Sequence, residues 1–217
     1  MDETTNRIIK KFEIETKYWR FSDLSKQLYK WFDLFNKHFF QKKLKSPVIS
    51  FDRTRSNTLG HFVVGRNSIG LKWNTNINSL YIDLPLVDTL ATLLHEMTHQ
   101  WQQEFGKKKE KSRRSYYHNL EFRNKTKKIG IPSDKSGVTS YYKNPFISFL
   151  KDNGVSINSQ LLSEKQPAVM KIPAVKKIPG MSKLKKWCCG CTNVRVAISD
   201  FQARCLKCSN KFVLVSQ

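Results

Sequence analysis

The stretch LLHEMTHQWQQEFG, Leu93 to Gly106, limits what this chain can be more than any other segment. Around it Val87, Leu90, Ala91, Leu94, Met97 and Trp101 recur at helical spacing, which predicts an amphipathic helix entered near Asp83 and Pro85 and ended by Gly106. Residues four apart lie one above the other on a helix, so His95 and His99 can aim two imidazoles at one ion. Glu96 is rotated by about 100° from His95, close enough to reach a coordinated water without binding the ion itself. A hydrolytic zinc site therefore requires H-E-x-x-H rather than two histidines alone. Zinc brings the water's pKa toward about 7, and the carboxylate can then take its proton.

Such a site needs a third protein ligand and an open position. A metzincin would place Gly at 102 and His at 105, where Gln102 and Phe105 stand, so that pattern is excluded. Of the downstream candidates, Glu104 points away from the His95/His99 edge, and Glu110 is set among lysines as a solvated charge. His118 opens the predicted helix NLEFRNKTKKIG with its ring free to aim back at the metal, and is the preferred third ligand; Glu121, on the same helix face, is the alternative or a supporting group. His61, in a strand, and His38, on an aromatic helix, have no partner at ligand spacing.

The elements around this helix predict an α+β fold with a small antiparallel sheet. Residues 1–16 form a polar lead-in. Leu24, Leu28, Trp31, Phe32, Phe35 and Phe39 mark a helix from Ser22. Three segments of strand character, 48–51, 58–64 and 68–73, are separated by RTRSN and GRN. The metal-site domain spans 17–155. A Pro/Lys-rich linker, with Pro167, Pro173 and Pro179 among lysines, covers 156–186.

Residues 187–217 are too few to fold on an apolar core alone. Cys188-x-x-Cys191 and Cys205-x-x-Cys208 match a zinc ribbon, two knuckles giving four thiolates to a closed structural site. Cys189 is left as a free thiol. The expected cofactor is thus zinc, two ions, one catalytic and one structural.

The chain carries 39 Lys+Arg against 17 Asp+Glu, a formal charge of +22. The excess is concentrated after residue 106, where 24 basic residues face 6 acidic ones. A surface of this sign attracts polyanions, nucleic acid above all. The densest run, Lys107, Lys108, Lys109, Lys111, Arg113 and Arg114, stands between the metal helix and His118. It is the expected phosphate contact, with Tyr116 and Tyr117 available to stack on unpaired bases. No apolar run of membrane-spanning length occurs, and the acidic start MDETTNRIIKKFEIETKYW lacks a signal-peptide core. A cytoplasmic protein is expected, nucleoid-associated or, in a eukaryote, nuclear.

WFDLFNKHFFQKKLKSPVISFD, TLGHF, the LLHEMTHQW helix, HNLEF and the four-cysteine tail together resemble the SprT-like zinc metalloprotease family, the SprT and Spartan proteases. The resemblance implies a zincin-like core, zinc on His95, His99 and His118, and Glu96 as the base. It also implies an endopeptidase acting on DNA-associated or DNA-crosslinked proteins, with single-stranded or partly unpaired DNA as partner. The alternative is a non-proteolytic zinc protein that binds nucleic acid as a regulator or accessory factor.

Overall fold

The computed structural model describes residues 2–107, 118–139, 142–157 and 184–215. It divides into two compact units, Met1–Lys171 and Ile172–Gln217. Most of the expected linker, including its three prolines, lies outside the described residues, as do Lys108, Lys109, Glu110, Lys111, Arg113 and Arg114.

The first unit is a mixed α+β arrangement of helices around one three-stranded sheet. Its core helix, α2 (Ser22–Phe40), buries Leu28, Trp31, Phe32 and Phe35 along the stripe that the sequence displays. Against it packs α3 (Leu86–Phe105), which carries the opening motif and buries Val87, Leu90, Leu93, Leu94 and Met97. Fully burying side chains of this size stabilises by roughly 1.5–3 kcal/mol each, which fixes α3 in the centre of the unit. Two shorter helices, α4 (Leu120–Ile129) and α5 (Phe146–Asp152), complete the first unit together with Ile131 and Phe146 of the core.

The segment read as a polar lead-in is instead a helix, α1 (Asp2–Glu15), packed on α2. Ile14 packs against the core, but its other inward anchors are polar, so no apolar stripe announces it. The Asn6 side chain, fully buried, donates to the carbonyls of Ser46 and Lys72 at 3.0 and 2.9 Å. Glu13 accepts from the Tyr29 hydroxyl at 2.8 Å, and that oxygen in turn accepts from the Ile49 N–H at 3.0 Å. Burial pushes the Glu13 carboxyl above its usual range.

The sheet also departs from the expected antiparallel one. β1 (Val48–Ser50), β2 (Gly60–Phe62) and β3 (Asn74–Ile77) lie in the order β1-β3-β2, with β1 parallel and β2 antiparallel to β3. Residues 68–73, expected as the third strand, form a turn instead, where the Asn67 Oδ1 accepts from the N–H groups of Ile69 and Leu71. The true third strand, NTNI, is buried throughout although asparagine is depleted from strands. Its side-chain amides supply the reason. Asn74 donates to the Val48 carbonyl and Asn76 to that of Asp52, while Asn78 just beyond donates to the Thr58 carbonyl.

The second unit is a three-stranded antiparallel sheet, β5-β4-β6, built from β4 (Lys185–Cys188), β5 (Asn193–Val196) and β6 (Val213–Leu214). Trp187, Phe201 and Phe212 form its small aromatic cluster. Among the described residues no helix is long and apolar enough to cross a membrane.

Candidate active site and metal centres

His95 and His99 stand one turn apart on α3, and His118 enters from the residue before the α4 cap. That cap fixes the entry angle: the Asn119 side chain accepts from the Phe122 N–H at 3.0 Å, as an N-terminal asparagine does when it starts a helix. The three Nε2 atoms converge, with separations of 3.1 Å for His95–His118, 3.1 Å for His99–His118 and 3.3 Å for His95–His99. Nitrogens bound at about 2.0–2.1 Å to one tetrahedral ion stand roughly 3.3 Å apart. Burial, reinforced by the neighbouring imidazoles, holds His95 and His99 well below the usual histidine value. That shift favours the neutral ring, the form in which an imidazole gives a lone pair to a metal. The donor set therefore fits a zinc ion.

Three other residues shape this cluster. The Phe122 ring, fully buried, packs 5.0, 4.2 and 4.7 Å from the rings of His95, His99 and His118. It closes one side of the triad against water. Gly137, at φ 86°, lies on the His118 imidazole so closely that a Cβ there would come within 2.6 Å of Nε2. The turn that presents it is held by Asp134, whose Oδ1 accepts from the N–H groups of Ser136 and Val138 at 2.7 and 3.0 Å. On the other side Gly60 of β2 sits over α3, where a Cβ would meet the Thr92 methyl at 2.8 Å and the Glu96 Cγ at 3.4 Å. Absence of a side chain lets the strand lie directly against Glu96, which is buried on the same helix as the two histidines.

The spacing H-x-x-x-F places Phe122 one turn beyond His118, and D-K-S-G is a turn signature with Asp first and Gly fourth. Both signals are present in the sequence, but neither indicates that the ring and the glycine touch the triad.

A family model described as SprT-like matches residues 28–141. The chain belongs to the SprT-like family. That membership brings an association with zinc-metallopeptidase-like activity, and the matched span contains most of α2, the sheet, α3 and α4 with the whole histidine cluster. No curated protein and no solved structure matches this SprT-like chain.

The other candidates fall elsewhere. Glu121 lies outside the triad and accepts from the Lys107 backbone N–H at 3.0 Å, tying the start of α4 to the chain leaving α3. Glu104 is half-buried one turn past Gln100, from which it accepts at 2.9 Å, and burial raises its pKa. His38 packs on Phe39 and Phe149, and His61 is half-buried on β2, where burial lowers its pKa and Asp52 partly offsets that. Lys107 alone of the basic run is described, and it is exposed.

In the second unit the structure corrects one expected ligand. Cys189, Cys191, Cys205 and Cys208 form the cluster, and Cys188 does not. The Sγ atoms of Cys189 and Cys191 lie 3.5 Å apart, and those of Cys191 and Cys205 3.6 Å. Thiolates at about 2.3 Å from a tetrahedral zinc would stand roughly 3.8 Å apart. The cause of the exchange is strand alternation. Trp187 is buried, so the same side is next reached at Cys189, which is buried too, whereas Cys188 faces the other way. The Cys188 Sγ accepts from the Gly190 N–H at 3.1 Å instead. Backbone N–H groups of Cys208 and Lys207 hold the Cys205 thiol down to about 6, which favours the thiolate a metal binds. The knuckles are therefore C-x-C and C-x-x-C.

Proposed function

We propose that this SprT-like chain is a zinc-dependent endopeptidase with a zincin-like core, cleaving proteins associated with or crosslinked to DNA and brought to them by DNA binding. The observation that carries the reading is the convergence of the His95, His99 and His118 Nε2 atoms beside the buried Glu96. These histidines would hold the catalytic ion. Zinc in such a site supplies Lewis acidity, which brings a coordinated water toward a pKa of about 7 and polarises a carbonyl. The Glu96 carboxylate takes a proton from the attacking water and delivers it to the leaving amide nitrogen, so the C–N bond breaks to release an amine and a carboxylic acid. Phe122 keeps bulk water from the side of the imidazoles that it covers, and Gly137 and Asp134 orient His118. The cysteine cluster would hold a second ion that folds the small unit and takes no part in cleavage.

The +22 charge supports the DNA partner, and the family resemblance supports both that partner and the substrate class. A cytoplasmic, nucleoid or nuclear setting follows from a DNA-bound substrate. The test is to incubate the purified chain and a DNA-binding protein substrate with and without single-stranded DNA. DNA-dependent fragments, including self-cleavage, that vanish with a zinc chelator are expected. DNA binding with no cleavage would favour the non-proteolytic alternative, and cleavage indifferent to DNA would remove DNA from the account.

A further inference from the structure

Beyond the histidine triad, α3 ends against a cavity of about 640 Å³ to which neither catalytic nor structural zinc chemistry assigns a role. Its walls are aromatic: Phe62 from β2, Trp73 from the residue before β3, and Phe105, the last residue of α3 and 46% exposed. Its rim is basic, with Lys43, Lys45 and Lys72. Lys45 pairs with Glu3 at 3.3 Å, whereas among the described residues Lys43 and Lys72 have no ion pair. The remaining polar lining comes from Gln103 and Glu104. The Gln103 Oε1 is buried and meets no donor among the described residues.

This frame is held in place. Buried Asn6 binds the carbonyls of Ser46 and Lys72, and buried Gln100 binds the Lys45 carbonyl at 2.9 Å, so two of the lysines project from fixed backbone. Trp73 has a left-handed backbone, φ 57°, which is a true outlier for a bulky side chain. Such strain persists only where surrounding structure enforces it, and it concentrates at ligand clamps. Here the Trp73 carbonyl is tied to the Val48 N–H at 2.9 Å, and the indole lines the cavity.

We propose that this cavity binds a base of single-stranded nucleic acid, stacked on Trp73 and Phe105, with the flanking phosphates on Lys43 and Lys72. Aromatic faces with adjacent cations suit an unpaired base and its backbone. An acidic peptide would use the lysines but leave the aromatic walls without a function. Glu104 and the Gln103 carbonyl are acceptors, so the site favours a base with an exocyclic amino group, such as cytosine, over thymine. The cavity begins four residues past His99, roughly 6 Å along the helix axis, and Phe62 is two residues from the glycine that touches Glu96. A strand anchored there runs beside the catalytic centre.

The inference rests on DNA as the chain's partner, and the test separates the two. Anisotropy of fluorescein-labelled 15-mers of dC and dT is measured over a salt series with the full-length protein, Phe105→Ala and Lys43→Gln/Lys72→Gln. Phe105 is exposed at a helix end, so its removal spares the core, and unchanged zinc content checks the fold. The wild type should bind dC several-fold more tightly than dT. Phe105→Ala should weaken dC binding about tenfold or more. The lysine pair should flatten the log–log salt slope by roughly 0.7 per lost contact. Photocrosslinking of 5-iodo-dC should label the peptide containing Trp73. Wild-type affinity in both variants, or crosslinks only to other peptides, overturns the pocket while DNA recruitment stands. So would equal competition by a polyglutamate of matched charge, or mononucleotide dCMP binding as tightly as the 15-mer. No DNA binding by the wild type overturns both.

Discussion

Replacing Gly137 by alanine adds one methyl group directly against the histidine cluster. The residue sits at φ 86°, where an L side chain costs about 1–2 kcal/mol before any clash is counted. The added Cβ would also lie 2.6 Å from His118 Nε2 and 2.7 Å from Nδ1, well inside contact distance. Either the turn or the ring must move. The turn is pinned by two hydrogen bonds to the Asp134 carboxylate, so the ring bears much of the displacement. Metal–ligand distances tolerate only about 0.2 Å, and changes in residues that orient ligands typically cost 10–100-fold in metal affinity. Gly137→Ala should therefore weaken the histidine-site zinc by about 10–100-fold, or roughly 1.4–2.8 kcal/mol, and leave the cysteine-site zinc unchanged. Competition titration against a chromogenic chelator resolves the two ions, with far-ultraviolet circular dichroism as the check on folding. Asp134→Ala, which loosens the turn without adding a clash, should give a smaller loss. Two zinc ions held at wild-type affinity by Gly137→Ala would show that the turn does not position His118.

His95→Ala should lower zinc from two ions per chain to one by elemental analysis, whereas a wild-type value of one would mean that one ligand set is wrongly assigned. Cys189→Ser should lose the zinc of the second unit and Cys188→Ser should keep it; the reverse result would restore the C-x-x-C pairing. Phe122→Ala removes a fully buried ring against three imidazoles and should cost about 3–5 kcal/mol in a denaturant titration, with weaker zinc binding. A loss under 1 kcal/mol would place the ring outside the core.

What the sequence displayed follows from which contacts are local. His95 and His99 are set by helical period alone, and the apolar stripe around them by burial of one face, so α3 could be read directly. His118 was favoured over Glu121 only by its place at the start of a predicted helix, because 18 residues lie between it and His99 and no periodicity crosses that gap. α1 and β3 were misread because polar side chains attach them: Asn6 and Glu13 in one, and the Asn74, Asn76 and Asn78 amides in or beside the other. Apolar patterning has no way to register such anchors. Cys189 was legible in principle, since alternation from a buried Trp187 selects it, but the C-x-x-C spacing of the second pair suggested the wrong partner for the first. Gly137 and Gly60 matter through what presses on them from distant parts of the chain, and no local signal carries that.

The central claim is that Glu96 moves the proton in a zinc-dependent cleavage. Glu96→Gln keeps the size of the side chain and all three histidines while removing the base. Its rate of DNA-stimulated self-cleavage, compared with wild type at equal zinc content, is the direct measurement. Loss of the general base should slow cleavage by about a hundredfold or more, with two zinc ions and DNA affinity retained. Cleavage at the wild-type rate with zinc bound would contradict the account.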